Sequence, residues 1–100
     1  MIVHIVMFDF KEENKAENIL HVRELLETLP SKIESLLSME VGIDFNRSER
    51  ACDMSLYSTF ATREDLDLYA THPAHLEVLA FIKEVVEKTR VVDYIKSATK

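Results

Sequence analysis

Apolar residues alternate from the start of the chain. Ile2, His4, Val6, Phe8 and Phe10 share one side of an extended segment, and Val3, Ile5 and Met7 share the other, so a period of two predicts a strand over 2–10 with both sides buried. Residues 11–15 form a charged loop, after which Ile19, Val22, Leu26 and Leu29 keep helical spacing until Pro30 stops the helix. Ser31, with Glu34 three residues on, has the capping-box pattern and predicts a short second helix closed by Leu36 and Leu37. Met39, Val41, Ile43 and Phe45 then alternate with Glu40, Gly42 and Asp44, which predicts a strand with one apolar and one polar or small face. Gly42 is the only glycine in the chain and predicts a bulge or a close backbone approach. The polar run 46–53 leads into a third strand over 54–60. Thr62 is a good N-cap for the next helix, whose first turn carries Glu64 and Asp65. Pro73 lacks an N–H and biases the preceding residue away from helical geometry, so that helix should stop near His72 and another begin with Pro73. The new helix is expected to run to about Lys88, with a last strand over 90–95 and a frayed tail over 97–100.

The order β-α-β-β-α-β is that of a ferredoxin-like α+β fold, an antiparallel sheet with helices on one face, here expected as a single domain over 1–96. Helices cover only one side of such a sheet, yet the first strand is apolar on both. A second copy packed sheet to sheet is the economical way to hide the other side, so a homodimer is expected.

Composition sharpens this picture in a few places. With 47% hydrophobic and 30% charged residues, the 100-residue chain is an ordinary globular one, large enough for a core without disulfide or metal staples. A net charge of -6 without any Lys/Arg cluster disfavours nucleic acid and anionic lipid as partners. The apolar start is far too short to span a bilayer and carries no basic leader, so the expected location is cytoplasmic. Cys52 is the only cysteine, which rules out an intrachain disulfide, and nothing beside it marks an activated thiol.

The candidate chemistry lies in Tyr69-Ala70-Thr71-His72-Pro73-Ala74-His75. On a helical wheel starting at Pro73, His75 shares a face with Leu79, Ile82 and Val86, so it points inward. In the first turn, free N–H groups and the helix dipole oppose an imidazolium and should lower its pKa. A neutral inward imidazole near a tyrosine hydroxyl is a reasonable general base. The bland alternative is a core histidine bonded to a backbone carbonyl. A zinc site from His72, His75 and His4 is disfavoured, because the spacing lacks the His-Glu-x-x-His pattern and His72 at the break should point away from His75. No metal or cofactor is therefore expected. His21 is expected at the surface, and Tyr57 and Tyr94 as packing residues. Glu40 and Asp44 form only a weakly suggestive carboxylate pair, and Asp93 is either a histidine's partner or an exposed strand-end carboxylate.

The segments Val3 to Lys11, Glu40 to Asp44, Tyr69 to His75 and Val92-Asp93-Tyr94 together resemble the stress-responsive dimeric α/β-barrel (Dabb) family over nearly the whole chain. The resemblance implies homodimers whose two sheets close a barrel. It settles fold better than function. One plant member is a polyketide cyclase that works by aldol condensation. By that resemblance Tyr69 and His75 are the catalytic positions, His75 taking a proton from carbon and the Tyr69 hydroxyl bonding the developing enolate, with His4 and His72 near the pocket; Phe8 is expected to bound the same space and, with them, to bind the substrate. Leu76, Val78 and Leu79 replace the small flexible residues that follow the second histidine in that cyclase, and Ile19, Leu20 and Val22 replace an aromatic tail pocket, which argues against the same polyketide. Two functions stand side by side: a cofactor-independent cyclase, lyase or isomerase acting on a small carbonyl compound, and a non-catalytic dimeric ligand-binding or stress-response module. A monooxygenase of the wider dimeric-barrel group is the weakest alternative, because the chain has no tryptophan and its histidine context fits poorly.

Overall fold

The alternating N-terminal segment forms strand β1 (Ile2–Phe10), an inner strand of a four-stranded antiparallel sheet. The structure is a computed structural model and describes residues 1–97. The tail expected at 98–100 lies outside the described residues. After β1 come α1 (Lys15–Glu27), a 3-10 turn (Leu29–Ser31), β2 (Ser38–Ile43), β3 (Met54–Phe60), α2 (Arg63–Thr71), α3 (Pro73–Val85) and β4 (Val86–Ile95). The strand order is β2-β3-β1-β4. This is the ferredoxin-like α+β arrangement. Among the described residues no helix is long and apolar enough to cross a membrane.

Ile2, Val6, Phe8 and Phe10 of β1 pack against Val22 and Leu26 of α1, Tyr69 of α2, and Val78 and Ile82 of α3. On the opposite side of the sheet, Val3 is fully buried and Ile5 half-buried, whereas Met7, Val92 and Tyr94 are 38%, 54% and 44% exposed. Among the described residues no helix covers that side.

Three local expectations are corrected. Residues 31–37 form no helix: the Ser31 hydroxyl donates back to the Thr28 carbonyl at 3.0 Å, and the Ile33 and Lys32 N–H groups close on Leu29, so Ser31 ends a turn instead of capping a helix. The last helix stops at Val85 and β4 starts at once, because Val86 pairs with Phe10 and the Lys11 N–H donates to the Val85 carbonyl at 2.9 Å. The bulge lies between Asp9 and Phe10, where the ladder to β4 skips Glu87; Gly42 pairs in register with Ser55. A side chain at Gly42 would meet the Ser55 hydroxyl at 3.2 Å, so the close approach expected there is present.

Behind the bulge sits a carboxylate that the polar run 46–53 concealed. Asp53 is only 3% exposed. It accepts from the Phe10 N–H at 2.8 Å and from Arg47 at 2.8 Å, with the Lys15 ammonium 3.4 Å away. Burial alone would raise its pKa, but the Phe10 N–H, Arg47 and Lys15 outweigh it and hold the carboxyl below its ordinary value.

Candidate functional site

The site is built on an interrupted helix. Thr62 caps α2, its hydroxyl accepting from the Asp65 N–H at 3.1 Å. At the other end His72 is extended, with φ -65° and ψ 136°, and Pro73 opens α3. The His72 imidazole accepts from the Ala74 N–H at 3.0 Å through Nδ1, acting as the N-cap of the new helix. Tyr69 in the last turn of α2 and His75 in the first turn of α3 thereby come together, with ring centroids 4.4 Å apart.

Both line a cavity of about 180 Å³ between the helices and the sheet. His4 and Phe8 of β1 line it too, and Leu26, Leu79 and Val91 make much of its remaining wall apolar. His72 does not line this cavity: it borders a separate surface cleft with Lys32, Glu34 and Asp65, and its near ring nitrogen is committed to the cap. Four of the five residues singled out in the sequence thus share one space. Leu26 lies on the apolar stripe of α1 without being marked as a site residue, and no local pattern marks Thr89 and Val91, which enter from the edge strand β4.

The hydrogen bonds fix much of the chemistry. Nδ1 of His75 lies 3.0 Å from the carbonyl oxygen of Ala70. A carbonyl only accepts, so Nδ1 carries the hydrogen and Nε2 the lone pair of the neutral ring. Burial lowers the His75 pKa, and nearby His4 and His72 lower it further, against the opposing effect of the Ala70 carbonyl. The direction agrees with the helix-dipole argument, but burial is the main cause. The Tyr69 hydroxyl is buried and has no hydrogen-bond partner among the described residues. Burial pushes its pKa up to about 12, so at neutral pH it is a donor. Nδ1 of His4 pairs with the carboxylate of Asp93 across the β1–β4 ladder. No group of three or more His, Cys, Asp or Glu able to hold a metal ion occurs among the described residues.

A four-stranded antiparallel sheet with helices on one face is the ferredoxin-like plan. The chain belongs to the stress-responsive A/B barrel domain family, whose model matches residues 2–96. A stress-response A/B barrel domain-containing protein of Arabidopsis thaliana is 29% identical over 100 residues, covering 97% of this chain and 87% of the relative. A dimeric protein of ferredoxin-like fold and unknown function from Bacteroides fragilis is 34% identical, covers 93% of each chain and superposes with a TM-score of 0.85. The hydroxynitrile lyase of Passiflora edulis shares the fold at 22% identity, with a TM-score of 0.86 and coverage of 99% of this chain and 95% of the lyase.

Proposed function

We propose that this protein is a cofactor-independent acid/base enzyme of the lyase, cyclase or isomerase type, acting on a small carbonyl compound or its adduct. One observation carries the proposal: Tyr69, whose buried hydroxyl has no partner among the described residues, packs its ring 4.4 Å from a neutral His75, and both residues line one cavity. Leaving such a hydroxyl unpaired costs about 1–3 kcal/mol, so a ligand oxygen that accepts its hydrogen is strongly favoured there. A carbonyl supplies that oxygen and also acidifies the neighbouring C–H for His75. His75 takes the proton while the Tyr69 hydroxyl donates to the oxygen on which negative charge grows. A cavity of roughly 150 Å³ holds a benzene molecule, so the one here suits a ligand of about six to ten non-hydrogen atoms. A neighbour of the same fold is named a hydroxynitrile lyase, which is consistent with the lyase member of this class.

The His75–Ala70 bond favours a second reading, a non-catalytic module in which the pair only knits the helix break. That reading explains the imidazole but leaves the hydroxyl without a role.

Two copies are proposed to pack through the uncovered sheet face, where Ile5, Met7, Val92 and Tyr94 are only partly buried. The dimeric description of the Bacteroides fragilis relative supports this.

The test is turnover of three probes that match the cavity: solvent deuterium uptake by cyclohexanone, cleavage of diacetone alcohol to acetone, and cleavage of mandelonitrile. Wild type should accelerate at least one of them, and His75→Ala should lower the rate by about 100-fold or more with the fold intact. Binding of the probes without any acceleration would establish the module instead.

A further inference from the structure

We propose that His4 is a second proton-transfer group of this cavity and that Asp93 is its positioning residue. The proposal rests on the acid/base assignment above and extends it to the opposite wall. His75 approaches from the helices, whereas His4 stands on β1, in the sheet. The Tyr69 ring is flanked by both imidazoles, with centroids 4.4 Å from His75 and 6.2 Å from His4.

Asp93 is the register partner of His4 on β4, and its carboxylate meets His4 Nδ1. An ionised carboxylate only accepts, so Nδ1 carries the hydrogen and Nε2 is left as the atom that exchanges a proton. The same tautomer is imposed on His75 by the Ala70 carbonyl. The two rings differ in the charge of their partners. A proton gained at His4 during turnover is countered by a full negative charge, which the Ala70 carbonyl cannot provide for His75.

The pair also connects two spaces. His4, with its side chain 16% exposed, lines the inner cavity. Asp93, with its side chain 44% exposed, lines an open cleft of about 420 Å³ with Arg63, Asp67 and Tyr94. A proton held on His4 therefore stands one residue from solvent.

Cleavage of diacetone alcohol shows why a second group is needed. The base removes the hydroxyl proton, the C–C bond breaks, and its electron pair forms the enolate of acetone while the other fragment leaves as acetone. The enolate carbon then has to be protonated. With His75 as base, His4 enters the step as the imidazolium paired with Asp93 and gives its Nε2 proton to the enolate carbon from the sheet side, ending neutral; the proton held on His75 then passes to His4 Nε2, directly or through solvent, and resets both.

The experiment combines ring ¹⁵N NMR with turnover, on whichever of the three probes the wild type accelerates, in wild type, Asp93→Asn, His4→Gln and the double variant. Wild-type His4 should show Nδ1 protonated. The amide of Asp93→Asn can donate to Nδ1, so the hydrogen should move to Nε2 while the melting temperature changes little. Turnover should fall by about 100-fold or more in Asp93→Asn and in His4→Gln, and the double variant should be no slower than His4→Gln alone. Full activity in both single variants, alongside loss in His75→Ala, would overturn the inference and leave the acid/base assignment standing. A slower Asp93→Asn whose His4 tautomer is unchanged would overturn the positioning role. A wild type inert towards all three probes would overturn both.

Discussion

Removing the Tyr69 hydroxyl should make the protein more stable and less useful. Tyr69→Phe keeps the ring, which is 1% exposed and packs tilted against Phe60 at 5.1 Å, so the aromatic contacts survive. What goes is a donor and acceptor buried without a partner. Relief of that unpaired group is worth about 1–3 kcal/mol. The small void left behind merges with the adjacent cavity and costs about 0.3 kcal/mol at the usual price per unit volume. A net gain of roughly 0.7–2.7 kcal/mol in a domain of this size raises the melting temperature by about 3 °C or more. Thermal unfolding followed by far-ultraviolet circular dichroism reads this directly, at a pH near 7 where the phenol is protonated in both states. The same variant should lose probe binding or turnover by about 10-fold or more, because the oxygen of the ligand loses its donor. A melting temperature that is unchanged or lower would refute the view that this hydroxyl is held in reserve for a ligand.

The His75 pKa lies below the ordinary imidazole value of 6.5, so turnover should be level above that pH and fall only below it; an inflection at or above 6.5 in the pH–rate profile would contradict a buried neutral base. Stability follows the same sign. A folded ring that binds fewer protons than the unfolded chain contributes fully above 6.5, and the contribution is lost as pH falls through the lower folded value, measurable as the urea midpoint against pH. Asp53→Ala leaves the Phe10 N–H unpaired and frees Arg47 and Lys15, and should cost about 2–3 kcal/mol in denaturant unfolding, discounted because Arg47 is half exposed; a loss below 0.5 kcal/mol would show the buried carboxylate to be idle. Ile5→Asp places a charge in the middle of the uncovered sheet face and should give monomers or insoluble protein, and a variant that sediments as a stable dimer would move the interface elsewhere.

The strands and the helix break were legible because their signals are local. The two-sided alternation of residues 2–10, the cap at Thr62 and the His72-Pro73 stop each act within a few residues. The β4 boundary was not legible, since Val85 and Val86 continue a helical stripe and only the pairing of Val86 with Phe10 turns the chain to strand. Ser31 matches a capping box, but its hydroxyl found the closer Thr28 carbonyl. Asp53 was hidden for the same reason as Asp93 was left open. Each is defined by partners far along the chain, Phe10 and Lys15 for one and His4 for the other, and a polar residue beside a strand looks alike whether it is buried or solvated. The Tyr69–His75 proximity followed from the break, whereas the apolar wall around them needed the helices and sheet to be assembled.

The interruption at His72-Pro73 settles which residues can meet. Tyr69 and His75 are six positions apart, and on an unbroken helix of 3.6 residues per turn they would stand about two-thirds of a turn out of phase, on different faces. The kink resets that phase. Here proline acts on direction: it re-aims a histidine that a straight rod would turn away from the phenol. A chain in which the two helices fused into one would keep its apolar spacing, yet Tyr69 and His75 would no longer line the same space. The reactive pair is therefore a property of the discontinuity, belonging to neither helix alone.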